Sequence, residues 1–402
     1  MFDPRNAVTI GDLRSMARRR LPEFAFAPME TGSGDGSGPL RNVEGFRRLL
    51  LSARALVDVT EVRQETTLFG KTYASPFGIS AVGYANNFRR HADQMLAEAA
   101  AEANIPFMLS GGSTAAIEEI ARIAPDHVWQ QLYAARDPSI TKHIVNRARD
   151  AGVKVLVHTV DSPAPPRNDW LARSGIGIPT SVRWSAWPYV LWQAATHPRW
   201  SLDHAVRGGL PSLESWAPYA PPGSGSAAIA RVFKQNVPTV ETWADVERLR
   251  RLWPGRYVIK GLVEPADARR ALDLGADAVT VSNHGGNKLD RMAAAIDSLP
   301  IVAPAVKGIA PLLFDGGIRR GTDLLAALAL GADFCFLGRA TLYGVIAGGA
   351  AGAHRAIAIL QDELARALAL VGCPDIAEIG PHFLHRDAPG GVAREPQTRG
   401  EP

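Results

Sequence analysis

Eight short apolar runs recur along the chain, at 76–81, 106–110, 127–133, 154–161, 257–261, 278–282, 311–315 and 334–338. Each is continuously apolar rather than alternating, the pattern of parallel strands covered on both faces. Helical patterns follow most of them. Residues 91–103 are Ala-rich with charges spaced on one side. Residues 265–274 carry Pro in the first turn and stop before Gly275, and 322–330 stop before Gly331. The stretch LDLGADAVTVSNHGG (272–286) is echoed by LALGADFCFLGR (328–339), offset by 56 positions (331 − 275). A helix, a Gly-Ala-Asp turn and a strand thus repeat two units apart. Eight such units predict an α/β fold of the (β/α)8 TIM-barrel type, with chemistry at the carboxyl ends of the strands.

Two regions stand outside that repeat. Residues 1–75 predict an N-terminal helical extension, in which TGSGDGSGP (31–39) reads as a flexible loop. Residues 180–240 form a long insertion between the fourth and fifth strands, far beyond an ordinary βα loop. The barrel then occupies 76–380, and 387–402, rich in Pro, Gly and Arg, reads as a flexible tail. The insertion holds five of the nine tryptophans. A lid or an oligomer contact is favoured over an interfacial membrane anchor, because Arg183, Arg199, Asp203 and Glu214 interrupt it and no clean apolar face is evident.

Composition narrows the function classes. Lys and Arg number 44 against 40 Asp and Glu, a net charge of +4 with no run of five like charges, so no nucleic-acid partner is expected. Two cysteines, Cys335 and Cys373, predict neither a disulfide framework nor a four-cysteine metal site, and no metal is expected. A reducing, cytoplasmic setting follows, with no signal peptide and no apolar stretch of spanning length.

The chemistry concentrates at predicted strand ends. His284 follows a strand directly in SNHGGNKLD (282–290), with two glycines behind it. A lone histidine in a glycine turn is more often a satisfied turn residue. Two further features weigh against that here. Asp161 ends another apolar strand in VHTVDSP, where a carboxylate can fix an imidazole tautomer. DGGIRRG (315–321) and LGRA (337–340) end two successive late strands with Gly and Arg, the expected form of a barrel phosphate site. Lys260 sits in a barrel mouth where burial of its charge must be offset. Ser110, Gln131, Tyr133 and Thr159 add neutral polar groups at other strand ends, suiting a flat polar heterocycle that carries a phosphate.

Taken in order, LVDVTEV (56–62), SPFGIS (75–80), QLY, TVDSP, IKG, SNHGG, DGGIRRG and GR…LYG, ending at Gly344, resemble the FMN-dependent α-hydroxy acid dehydrogenase/oxidase family, which includes glycolate oxidase and lactate and mandelate dehydrogenases. The resemblance implies FMN as cofactor. It implies contacts to the flavin from Ala81, Val82, Gly83, Ser110, Gln131, Thr159, Lys260 and Ser282. Asp315 would bind the ribityl chain, and Gly316, Gly317, Arg319, Gly338 and Arg339 the phosphate. His284 would be the base, Asp161 its partner, and Tyr133 a donor to the substrate oxygen. The family's homo-oligomers, often tetramers, and an electron acceptor that is oxygen, a quinone or a carrier protein are implied as well.

The departures bear on the substrate. The family's arginine three places after the histidine is Asn287 here; its arginine seven places after the aspartate is Asn168, with Arg167 one place early. An early tyrosine of the carboxylate site aligns with Pro28. A neutral amide cannot reproduce a bidentate guanidinium–carboxylate pair. Asn287, Asn168 and Arg167 are therefore the candidate substrate contacts. The expected substrate is a natural-product or peptide-derived compound with a CH–OH or CH–NH2 carbon next to a carbonyl. Asn287, Asp169-Trp170 and HPRW (197–200) are similar to the mycofactocin-maturation branch of the family. The alternatives are an ordinary L-2-hydroxy acid (lactate-type) enzyme, a flavin-dependent isomerase, or a flavin-binding protein without catalysis.

Overall fold

The computed structural model describes residues 3–177, 181–206, 209–237 and 239–385. Eight parallel strands close a barrel: β1 (Phe77–Ile79), β2 (Phe107–Leu109), β3 (Val128–Leu132), β4 (Val155–Thr159), β5 (Arg256–Leu262), β6 (Ala278–Val281), β7 (Leu312–Asp315) and β8 (Phe334–Leu337). Each strand pairs with its neighbours in chain order, and β8 pairs with β1. Every residue of β1–β4 and β6–β8 is buried, as their uninterrupted apolar runs require. The helices Ala92–Glu102, Pro265–Asp273 and Gly321–Ala329 lie where the periodicity puts them. The fold is a (β/α)8 barrel.

Side chains fill the barrel interior. Met108, Trp129, Val155, Val157, Val258, Ala278, Leu313, Phe334 and Phe336 form one cluster, with Trp129 and Phe336 ring centroids 5.1 Å apart. Leu68 and Tyr73 join it from an antiparallel hairpin, Thr66–Leu68 with Lys71–Tyr73. The N-terminal extension is thus not wholly helical: after Ile10–Arg20, Glu23–Thr31 and Ser37–Arg47, this hairpin plugs one end of the barrel.

The stretch 31–39, expected to be a flexible loop, is ordered: Thr31 ends one helix, Ser37 begins the next, and the turn between them is stitched in place. The Ser33 N–H donates to Gly286 O at 3.2 Å, and the Gly34 N–H to Arg167 O at 2.7 Å. The extension therefore rests on the same end of the barrel as the predicted site.

The insertion splits in two. Its helix Ser226–Asn236 leans over the barrel mouth, with Phe233 edge-on to Trp216 at 5.0 Å and to Tyr84 at 6.3 Å. Its earlier helices, Trp187–Thr196 and Pro198–Ala205, dock on Glu23–Thr31 through Trp200 against Phe24 at 5.5 Å. There the sequence reading misses a surface. Trp184, Trp187, Leu191 and Trp192 are exposed, Trp184 at 89% and Trp192 at 60%, and their helical spacing makes an apolar stripe. The tail at 387–402 lies outside the described residues.

Candidate active site

The carboxyl ends of the strands surround a cavity of about 540 Å³. On one side stands a relay. Asp161 follows β4, and His284 follows β6 at the second residue after Ser282. His284 adopts φ 56° and is followed by Gly285 at 64° and Gly286 at 79°. This run of left-handed residues turns the chain sharply, and the imidazole meets Asp161 across the rim. Nδ1 lies 2.8 and 3.1 Å from the two Asp161 oxygens. A carboxylate only accepts, so Nδ1 carries the proton and Nε2 keeps its lone pair. The Tyr133 hydroxyl donates to that Nε2 at 3.2 Å.

Room for this pair comes from Gly261. The β5–β6 register shifts between Thr280 and Val281, and Gly261 takes φ 106°. A Cβ there would fall 2.6 Å from Asp161 Cβ.

The electrostatics favour a neutral base. Burial pushes the His284 pKa below its ordinary value, although Asp161 pulls the other way. Burial alone would raise the Asp161 carboxyl, but its pairing with His284 and the charges of Lys260 and Lys288 hold it well below the usual carboxylate range. Burial raises Tyr133 above its ordinary value, so it stays a hydroxyl donor.

A second constellation lines the cavity floor. Lys260, 4% exposed, pairs with Asp315 at 2.8 Å and donates to Ser282 Oγ at 2.9 Å. Ser282 Oγ also bonds to Asp315, and Ser80 Oγ donates to Asp315 at 3.0 Å. The structure thus joins Lys260, Ser282 and Asp315 in one buried network. Thr159, Lys260 and Thr280 lie side by side on β4, β5 and β6. Gln131 accepts from the Gly111 N–H at 2.7 Å, but among the described residues its Nε2 has no partner, nor has Thr159 Oγ1. Both side chains line the cavity, as do Ala81, Val82, Gly83 and Ser110. Orphaned buried polar groups facing a cavity fit a ligand with donors and acceptors on its edge, as a flavin has.

The anion cradle lies at β7 and β8. Gly316 and Gly317 follow β7 at φ 126° and 89°, and Gly338 begins the helix Arg339–Gly348. All three line the cavity with Arg319. A turn of this kind beside a helix N-terminus suits a phosphate. Arg339 behaves differently from expectation. It lines the cavity but donates to Met29 O and Gly285 O at 2.8 Å each and to Asn287 Oδ1 at 2.9 Å.

Of the predicted substrate contacts, only Asn287 lines the cavity. Asn168 is the N-cap of the helix Asp169–Ser174, accepting from the Leu171 N–H at 2.9 Å. Its Nδ2 donates to Thr31 Oγ1 at 2.9 Å and to Gly32 O. The Arg167 side chain is 82% exposed and pairs with Asp169. Both serve the loop after β4, and both placements correct the sequence reading.

Pro28 does line the cavity, beside Met29. Sequence reasoning missed Met29, Tyr84, Phe233, Lys234 and Lys288, which line it as well. Lys288 had a signal, since it follows Asn287 directly in a stretch already singled out. Its ammonium lies 5.7 Å from the ring centroid of Tyr133, the residue after β3, a contact no local pattern announces.

The family described as FMN-dependent dehydrogenase matches residues 17–386. An L-lactate dehydrogenase of Chromohalobacter salexigens is 38% identical over 375 residues, covering 93% of this chain and 94% of that protein. An L-lactate dehydrogenase of Pseudomonas aeruginosa is 36% identical over 376 residues, covering 94% and 97%. Among solved structures, the monotopic membrane protein (S)-mandelate dehydrogenase superposes with a TM-score of 0.89 at 33% identity, covering 95% of this chain and 100% of that one. An arginine-to-leucine variant of mandelate oxidase with 2-hydroxy-phenylacetamide superposes with a TM-score of 0.79 at 30% identity, covering 94% and 98%. By sequence and by fold, the chain belongs to the FMN-dependent dehydrogenase family, and its cofactor is FMN.

Proposed function

We propose that this protein oxidises the CH–OH carbon of an L-2-hydroxy acid of the lactate or mandelate type to the 2-oxo acid. The observation that carries the reading is the Tyr133–His284–Asp161 relay at the rim of the cavity. The names of the relatives support it. So does the charge of the lining, where Lys234, Lys260, Lys288, Arg319 and Arg339 face one carboxylate, Asp315. The sequence expectation of a substrate without a free carboxylate is less well supported.

FMN, when bound, would supply the hydride acceptor. Lys260, with Asp315 and Ser282 beside it, would offer the flavin a positive charge, and Gln131 and Thr159 would offer it their orphaned polar groups. The glycines after β7 and β8, with Arg319, would hold the phosphate. His284 Nε2 takes the substrate's hydroxyl proton as the hydride leaves C2. Asp161 holds the ring in the required tautomer and stabilises the imidazolium that forms. Tyr133 donates to the substrate oxygen. Phe233 and Val237 keep water from the reacting carbon.

A second reading, a hydroxy amide substrate, is favoured by Asn287 and by the neutral ligand in the arginine-deleted relative. Anaerobic mixing of holoenzyme with L-lactate, (S)-mandelate and 2-hydroxy-phenylacetamide separates the two. Bleaching of the oxidised flavin by the acids is the expected result. Bleaching by the amide alone selects the second reading, and no bleaching by any of the three overturns both.

A peripheral association with membranes belongs to the same proposal. No described helix is long and apolar enough to cross a bilayer. The exposed stripe of Trp184, Trp187, Leu191 and Trp192 is of the kind that lies in a lipid interface, with Arg19, Arg20 and Arg199 lining an adjoining surface pocket.

A further inference from the structure

We propose that Lys288 receives the substrate's carboxylate, so that this site holds an anionic substrate through an ammonium where guanidinium groups are missing. The inference rests on the hydroxy-acid reading above and names the residue that selects for the acid.

Position is the first argument. The Lys288 ammonium lies 5.7 Å from the centroid of the Tyr133 ring. That ring stacks against His284 at 6.3 Å and 15°, and its hydroxyl is 3.2 Å from His284 Nε2. In a 2-hydroxy acid the hydroxyl and the carboxylate are attached to the same carbon. A substrate whose hydroxyl meets Tyr133 and His284 therefore carries its carboxylate within reach of an ammonium on the neighbouring ring. Lys288 also lines the cavity itself, as Asn168 and Arg167 do not.

Availability is the second. The Lys288 side chain is half-buried, yet among the described residues no hydrogen bond or ion pair holds its ammonium. A cation withdrawn from water without an acceptor is costly, and a bound anion offsets that cost. Of the other cations of the lining, three are engaged and the fourth lies exposed. Lys260 is paired with Asp315. Arg339 donates to two carbonyls and to Asn287 Oδ1. Arg319 donates to Ile318 O at 2.8 Å and lies 5.7 Å from the Tyr343 ring centroid. Lys234 is exposed on the insertion.

Geometry also sets the character of the selection. An ammonium is a point charge without the planar fork that matches both carboxylate oxygens. Lys288 therefore distinguishes acid from amide by charge and leaves the orientation of the substrate to Tyr133 and His284.

The test uses ligands of like shape that lack the oxidisable hydroxyl, one charged and one neutral. Phenylacetate and phenylacetamide are titrated into holoenzyme, and Kd is read from perturbation of the flavin spectrum. In the wild type phenylacetate is expected to bind the tighter. Lys288→Met is expected to weaken phenylacetate at least tenfold and to leave phenylacetamide within twofold. Lys288→Arg is expected to restore phenylacetate binding, and Lys288→Gln serves as a second neutral variant should Lys288→Met fail to retain FMN. Unchanged phenylacetate affinity in the neutral variants, or equal weakening of both ligands, overturns the proposal. These titrations read Lys288 independently of turnover. A wild type that neither L-lactate nor (S)-mandelate reduces removes the hydroxy-acid reading, whereas a reducible wild type with unaltered neutral variants removes Lys288 alone.

Discussion

His284 combines a backbone conformation that side chains seldom adopt with a buried imidazole whose affinity for protons is reduced. A non-glycine residue in the left-handed region costs about 1–2 kcal/mol. Its contacts oppose that cost: the His284 N–H donates to Ser282 Oγ at 3.0 Å, and Asp161 holds the ring. The sign of the pH dependence follows. The base works when neutral, and burial lowers its pKa from 6.5, so kcat/KM is expected to rise with pH through an acid limb below 6.5 and then level. Asp161 opposes that lowering. In Asp161→Asn the limb is expected to move further toward acid, while the plateau of kcat falls about 10²- to 10⁴-fold through loss of the fixed tautomer. A pH profile of both proteins measures the two effects separately. Sequence made this relay legible because Tyr133, Asp161 and His284 each follow a run that reads as a strand, and barrel closure gathers strand ends. Arg167 and Asn168 were misread because seven and eight residues of loop separate them from β4. Their direction is set by Thr31, Gly32 and Gly34, which no local pattern near residue 168 specifies.

Between residues and the whole fold, the connections matter more than the strands. Asn42, from the helix Ser37–Arg47, exchanges two hydrogen bonds of 2.8 Å with Asn283, directly before the histidine. It also accepts from the Ala295 N–H at 2.9 Å. One amide in the extension thereby fixes the turn that carries the base. The glycine turn after β7 packs against the same place. A Cβ on Gly317 would fall 2.4 Å from Asn42 O, on a residue at φ 89°. Gly317→Ala is therefore expected to displace both the cradle and Asn42. FMN affinity should drop at least tenfold by fluorescence titration, with a loss of about 1–3 kcal/mol in stability by denaturant unfolding. Wild-type FMN retention in this variant refutes the coupling. The strand–helix alternation was readable because buried parallel strands leave unbroken apolar runs. The hairpin at 66–73 was not, since each of its strands has three residues and only one buried position.

At the scale of the molecule, three lengths of chain converge on one cavity: the barrel, the extension and the insertion. The insertion was legible as an addition and as a lid, but its outward stripe was not. The stretch WSAWPYVLW (184–192) carries no charge of its own, but Arg183, Arg199, Asp203 and Glu214 around it break up the insertion as a whole, and only helical winding shows Trp184, Trp187, Leu191 and Trp192 outward together. Wild-type protein is expected to co-sediment with anionic vesicles. Trp184→Ser combined with Trp192→Ser should cut that partition at least fivefold without altering flavin reduction, because neither residue lines the cavity. Equal sedimentation of the two proteins rejects the lipid-facing role.

Pro28 and Met29 reach the cavity from before the barrel begins, and Phe233, Lys234 and Val237 reach it from an excursion midway through. The redox apparatus and much of the wall around the reactant are therefore written in separable passages of sequence. Exchanging those passages between homologous proteins should transfer reactant preference while leaving the flavin's own spectrum and potential with the recipient.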